Sequence, residues 1–346
     1  MLPSSAALLT RCHHPLVRDL AWLVLAPDLI TTPCQGRPTR KALGLEDDHF
    51  LATFLAELDK APQALERRVG NTNHGRMGHY HERIWQFLLD AAPGTRLLAH
   101  NLRIHEGKRT LGELDLIYRL RDDPMPIHLE VAIKYYLGLP EGPGEPSGQA
   151  RWIGPGGVDS LATKREHLHR HQLRLTEREE TRVTLQRHLH PRDLGPLPEL
   201  VIRPQLAMPG VLFYPWQQNL PPPREATTGH LQGQWLRWSD WQAFRQRLPR
   251  ETRGAWLAKP HWLALPREDA FIALEKLEAR LEHHFADPAS PVQVALAQGR
   301  GKRMRLFLVA DDWPRQIPLP PVADGIWYEK STSDGQSRQE SAKKRK

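Results

Sequence analysis

Glu82, Asp115, Glu130 and Lys134 are residue types that phosphoryl chemistry uses: three carboxylates able to hold a hard cation, and one ammonium able to orient water or steady negative charge. Divalent cations such as Mg²⁺ or Mn²⁺ bind through carboxylate oxygens and keep several waters, so two or three converging acids suffice for a site. Such an ion polarises a phosphoryl oxygen and lowers the pKa of bound water. The set fits hydrolysis of a phosphodiester, provided the fold brings its members together.

The elements that must do so can be read from periodicity. Residues 126–137, PIHLEVAIKYYL, read as one strand. Ile127, Leu129, Val131, Ile133 and Tyr135 face one way, and His128, Glu130, Ala132, Lys134 and Tyr136 the other. TLGELDLIYRL (110–120) mirrors it, with Leu114, Leu116, Tyr118 and Leu120 opposite Glu113 and Asp115; RDDPMP between the two suits a hairpin. Antiparallel pairing with matched apolar faces then puts Asp115 and Glu130 on one surface of the sheet. TRLLAHNLRIHE (95–106) is a third strand. Upstream, GRMGHYHERIWQFLLDAAPG reads as a helix with Met77, Tyr80, Ile84, Phe87 and Leu88 in one stripe and Gly94 at the exit. Glu82 lies off that stripe with Trp85 and Leu89, on a second face that is itself apolar. The bland alternative for Glu130 and Lys134 is a solvated sheet face, where such pairs contribute little.

Gly138 to Gly157 is dense in Gly and Pro, and its GPGG lacks the Lys and Ser or Thr of a phosphate-binding loop. VDSLATKREHLHRHQLRLTEREE follows as a predicted helix, with Asp159 at the N-cap and Leu161, Leu168 and Leu175 on one face. His167 and His171 are spaced like a metal pair, but with no zincin glutamate they read as a solvated face; His74, His79 and His81 either line a cleft or begin a helix. GVLFYP (210–215) and RMRLFLVADDW are strand candidates, and EDAFIALEKLEARLEHHF is helical. Trp235, Trp238 and Trp241 fit a core better than a base-stacking surface.

The totals set bounds on this. At 346 residues with 40% apolar and 25% charged content, the chain is globular and long enough for a large core with appendages, while 31 Pro and 24 Gly call for long connections. Two cysteines, Cys12 and Cys34, exclude a disulfide framework or a thiolate zinc site and suit a reducing compartment. No leader pattern and no long apolar run is present, so a soluble, cytoplasmic protein without a membrane partner is expected. Of the net charge of +8, half sits after residue 329, which leaves the folded part mildly basic and compatible with a nucleic-acid partner.

At these residues the sequence resembles the PD-(D/E)XK, or restriction-endonuclease-like, phosphodiesterases. In that superfamily an acid on the first core helix precedes a strand carrying Asp and a strand carrying Glu-x-Lys, within an α-β-β-β-α-β core whose last strand would here be the one near Val211. Two departures are visible: Leu114 rather than proline precedes Asp115, and Ala132 occupies the usual lysine position, with Lys134 one strand period further on. LGELDL, HLEVAIKYYLG, RWIGPGGVDSLATK, HQLRL and LVADDWP also look like the hallmarks of an uncharacterised bacterial domain-of-unknown-function family placed in that superfamily. That resemblance implies that Asp159, Lys164 and Gln172 lie near the site.

The expected fold is mixed α/β. A helical N-terminal segment (1–70) precedes a restriction-endonuclease-like core (71–215), with a central mixed sheet flanked by helices. A C-terminal extension (216–329) and a disordered basic tail (330–346) follow. The expected function is Mg²⁺- or Mn²⁺-dependent hydrolysis of DNA or RNA. Asp115, Glu130 and the Val131 carbonyl would hold the metal, Glu82 would buttress it and Lys134 would assist the attacking water. His128, Lys164 and Gln172 would contact substrate. The alternative is a nucleic-acid-binding module that keeps this fold without turnover, in line with the displaced lysine.

Overall fold

A computed structural model describes residues 5–70, 77–194, 201–287, 289–299 and 301–319. The expected tail from residue 330 lies outside the described residues, as does His74. The chain opens with α1 (Ser5–Arg11), α2 (Pro15–Leu25), a short β1 (Gln35–Gly36), α3 (Asp48–Lys60) and α4 (Gln63–Val69). Then come α5 (Met77–Ala91), β2 (Thr95–Glu106), β3 (Arg109–Leu120), β4 (Asp123–Val131), β5 (Lys134–Gly138), β6 (Trp152–Ile153), α6 (Leu161–His167), α7 (Glu179–His188), β7 (Arg203–Ala207) and β8 (Gly210–Pro215). The last third adds β9 (Gln232–Arg237), α8 (Trp241–Arg245), β10 (Arg253–Leu257), β11 (Ile272–Ala273), α9 (Leu274–Phe285), β12 (Val292–Gln298) and β13 (Lys302–Val309).

The strands form two mixed sheets, one of five strands in the order β1-β7-β4-β3-β2 and one of eight in the order β11-β10-β12-β13-β9-β8-β5-β6. In the first, β2, β3 and β4 form an antiparallel meander and β7 returns parallel to β4. Such a return needs a crossover, which α6 and α7 supply.

The stretch 126–137 is therefore two strands and not one. The chain leaves the first sheet after Val131 and joins the second at Lys134, while its neighbour makes the same passage between Ala207 and Gly210. Pro209 lies at that passage. It has no N–H for a ladder, but its carbonyl accepts from the Lys134 amide at 3.3 Å. Gly210 is obligatory beside it, since a Cβ there would fall 1.8 Å from the Lys134 carbonyl oxygen. The strand expected at the core's far edge, near Val211, accordingly lies in the second sheet; β7 is the strand beside β4.

Side-chain parity survives the break. Ile127, Leu129, Ile133, Tyr135 and Leu137 all point into one large core that also contains Leu20 and Leu23 of α2, Tyr80, Ile84, Trp85 and Leu88 of α5, and Phe213 and Phe307 of the second sheet. Ala132 and Tyr136 point the other way, to Trp152, Leu161 and Leu168 under α6. The boundary expected at residue 215 falls within one sheet, because β5, β6 and β8 pair into the same layer as β9 to β13. Trp235 and Trp241 are buried, as a core role requires.

The long helix expected from residue 158 is broken. α6 gives way to a π-helical turn (Leu168–Gln172) and a 3₁₀ turn (Leu173–Glu177) before α7. Its leucine stripe divides accordingly: Leu161 and Leu168 enter the core under α6, and Leu175 enters a separate cluster with Leu114, Ile117 and Leu185. Ser160 and not Asp159 caps α6, through a reciprocal box with Thr163 of a kind that contributes about 1 kcal/mol.

Candidate functional site

The ladder between β3 and β4 runs Tyr118–Ile127, Ile117–His128, Leu116–Leu129, so the next position sets Asp115 opposite Glu130 on the face of Ile117 and His128. The hydrogen bonding changes at that position: Asp115 Oδ2 accepts from the Val131 backbone N–H at 3.0 Å. Asp115 and Glu130 lie within hydrogen-bonding reach of each other. Burial pushes the Asp115 carboxyl up to about 6, with the Glu82 charge adding to the rise and the Val131 amide and Lys164 opposing it. Glu130 goes well above the usual carboxylate range, first through burial and then through the Asp115 charge. Each acid thus opposes ionisation of the other.

The other polar atoms around Glu130 are poorly satisfied. Gln172, on the π-helical turn, donates to Oε1 at 3.4 Å, but Oε2 has no partner among the described residues. His128 Nε2 is 3.9 Å from it, too far for a hydrogen bond, and both ring nitrogens of this fully buried histidine lack partners. Burial drives His128 down to about 3, so it is neutral. A carboxylate pair held largely out of water and flanked by unpartnered polar atoms is costly to maintain, and these atoms are donors and acceptors that a ligand could use.

Glu82 reaches this centre from α5. Its Oε1 accepts from Asn101 Nδ2 at 2.5 Å and from Gln86 Nε2 at 3.1 Å, and its Oε2 is 3.7 Å from His79. Asn101 was not singled out by sequence. It lies between the pairs His100–Leu116 and Leu102–Leu114, in line with Asp115, at a left-handed φ of +51° that asparagine tolerates. Its Nδ2 also bonds Glu113 at 3.0 Å. The signal for it was a lone amide interrupting the alternation of LLAHNLRI. His81, the other helix-start candidate, is instead buried in the core, where it accepts from Trp85 Nε1 at 3.1 Å.

The two lysines differ. Lys134 points to the same side as Glu130 but is tied to Asp159, with Nζ 2.5 Å from Oδ2. Gly154 makes room for this arrangement, since a Cβ there would lie 2.0 Å from Asp159 Oδ1, and Trp313 Nε1 fixes the same loop through Pro155 O at 2.9 Å. Lys164 of α6 feels Glu130, Asp115 and Asp159 as well as Lys134; burial lowers its pKa, and the acids oppose that shift. Lys164 is thus the ammonium coupled to the carboxylate pair. His167 and His171 are exposed neighbours on the outer side of the same segment, with rings 5.4 Å apart.

A family model described as a domain of unknown function, DUF1853, matches residues 18–309. The chain belongs to this family. The matched range takes in both sheets and every motif quoted above except the end of LVADDWP. Comparison with curated proteins and with solved structures finds no match. Among the described residues of this DUF1853 domain, no helix is long and apolar enough to cross a membrane.

Among the described residues, no three His, Cys, Asp or Glu side chains converge on a metal site. The donor set at the sheet end is two carboxylates, one with an unpartnered oxygen. This suits a cation that takes few protein oxygens and keeps its waters, as Mg²⁺ does, and not one that needs a closed cage of side chains.

Proposed function

We propose that this chain hydrolyses phosphodiester bonds in nucleic acid with the help of Mg²⁺ or Mn²⁺, on a restriction-endonuclease-like core formed by α5, β2, β3, β4, the α6–α7 crossover and β7. One observation carries the reading: Asp115 and Glu130 stand opposite each other on adjacent strands, Asp115 tied to the Val131 N–H and Glu130 buried. The order of helix, antiparallel meander and parallel return supports it.

Asp115 and Glu130 would hold the cation, which supplies a polarised phosphoryl oxygen and water of lowered pKa when bound. The Val131 N–H holds Asp115 in place, and Gln172 does the same for Glu130. Glu82, clamped by Asn101 and Gln86, keeps a fixed negative charge near the pair. Lys164 donates to the attacking water or to a phosphoryl oxygen as charge develops. Lys134 holds Asp159 and so positions the start of α6. In this reading Lys164 takes the role first expected of Lys134.

Incubation of the purified chain with single- and double-stranded DNA and RNA, in Mg²⁺, Mn²⁺ or EDTA, tests the reading. Cleavage requiring metal, lost in Asp115→Asn and Glu130→Gln, is expected. Lys164→Met should lower cleavage by about 10²-fold or more and Lys134→Met by much less. Absence of metal-dependent cleavage on all four substrates would refute it.

A second reading, a nucleic-acid-binding module without turnover, fits the donor set of two carboxylates, since no three-residue metal cluster is found among the described residues. Calorimetric titration with Mn²⁺ separates the two: no heat of binding, together with retained nucleic-acid affinity, selects the binder.

A further inference from the structure

A cavity of about 560 Å³ lies between α4, α5 and β2, lined by Ala64, Arg67, Arg68, Arg83, Gln86 and His100. Three guanidiniums and an imidazole, with Arg67, Arg83 and His100 exposed, line this shallow, open depression, and no carboxylate is among its lining residues. Such a cluster of like charges attracts an anion. The negative end of the α4 dipole accounts for Arg67 and Arg68 in its last turn, but not for Arg83 and His100, which arrive from other elements. Arg83 Nη1 donates to Val69 O at 2.6 Å, and Arg68 reaches Asp90 at 3.1 Å through a half-exposed pair. Arg67 has no partner among the described residues.

The cavity borders the carboxylate site through two of its own walls. Gln86 donates to Glu82 Oε1 at 3.1 Å. His100 Nδ1 is 3.0 Å from Asn101 Oδ1, and Asn101 in turn bonds Glu82 Oε1 at 2.5 Å. Glu82 thus separates a basic pocket from an acidic pair. An anion with several oxygens arranged around one centre matches forked guanidiniums better than a single carboxylate does.

We propose that this pocket binds a phosphate of the nucleic-acid strand, next to the phosphate held at Asp115 and Glu130. That the strand is the one being cut rests on the proposed function; anion binding itself rests on the pocket. The bound group is either a terminal phosphate or an internal diester, which share the same oxygens. A terminal phosphate would make the chain read strand ends, and an internal diester would set the direction in which the strand lies.

The test uses the full chain in EDTA, so that no cleavage intervenes. It follows fluorescence anisotropy of an internally labelled single-stranded oligonucleotide bearing a 5′-phosphate, a 3′-phosphate or neither. Arg67→Gln, at an exposed side chain with no fold contacts, should weaken binding about tenfold, the loss of one charge-assisted contact. It should also reduce the slope of log affinity against log salt by about one. Arg83→Gln should act in the same direction, and Arg280→Gln on α9 should not. Loss confined to one phosphorylated form identifies a terminal phosphate; equal loss for all three identifies an internal diester. Unchanged binding and slope in Arg67→Gln, an equal loss in Arg280→Gln, or no binding by the wild type would each overturn the proposal. Failure of metal-dependent cleavage with these binding effects intact would instead remove only the proposed function.

Discussion

The two sheets treat buried charge in opposite ways. In the eight-stranded sheet, Arg305 is almost fully buried, and its guanidinium donates to Trp262 O at 2.8 Å, Gln293 Oε1 at 2.7 Å and Leu263 O. A structural charge is surrounded by acceptors. In the five-stranded sheet, Glu130 is as deeply buried, yet one oxygen and both nitrogens of its neighbour His128 have no partner. The first pattern stiffens a loop against a strand; the second leaves polar atoms without partners among the described residues. Burial of an ionisable group does not by itself mark a site, and the state of its hydrogen bonds is the better guide.

The comparison would break first at Arg305. Arg305→Ala should cost about 3–5 kcal/mol in urea unfolding, since it leaves the Leu263 carbonyl and the Gln293 amide without a donor, while Trp262 O keeps only the Tyr135 hydroxyl. A loss below about 1 kcal/mol would mean that the arginine is not a structural clamp.

The next largest effect concerns pH. With its folded pKa raised to about 6 against 3.8 unfolded, Asp115 ionises more readily in the unfolded chain. Stability is therefore lost as pH rises from about 4 to about 6, by about 3 kcal/mol in total. Denaturation across that range in EDTA should show the loss, and Asp115→Asn should remove it. Added Mn²⁺ should offset it at pH 7 in the wild type only.

An effect of opposite sign is expected for Glu130→Gln, which removes a desolvated acid and should raise the urea midpoint at pH 7. A lowered midpoint would place Glu130 with Arg305 as a structural group. The smallest effect belongs to Lys134→Met. The Lys134–Asp159 pair is about 30% exposed on both sides and should contribute less than about 1 kcal/mol, readable as a melting shift of a few degrees.

Much of the first sheet was legible in the sequence because alternation and turns are local. The expected bounds of TRLLAHNLRIHE coincide with β2, as those of GVLFYP do with β8 of the second sheet; matched apolar faces put Asp115 and Glu130 on one surface, but the register that sets them opposite each other is not written in the sequence. The break after Val131 was not legible in HLEVAIKYYL, since alternation continues through it and no Gly or Pro interrupts it. Its trace lies on the partner strand, in Pro209–Gly210, and only a parallel pairing some eighty residues away gives that trace meaning. Asp159 was misread for a related reason. Both Asp159 and Ser160 are good caps, and the choice was made by the distant Lys134, which draws the carboxylate away. Resemblance alone placed Lys164 near the site; nothing in its local pattern distinguishes it from a solvated helical lysine.

The passage of β4 and β7 from one layer to the other has a consequence for geometry. The separation of residues 115 and 130 is a ladder spacing, set within a single layer and insensitive to how the layers lie. The separation of either from residue 134 spans the crease between layers and varies with the dihedral angle at which they meet. Both ribbons bend at the same level over one shared core, so the acid pair belongs to a single layer while Lys134 stands across the crease from it.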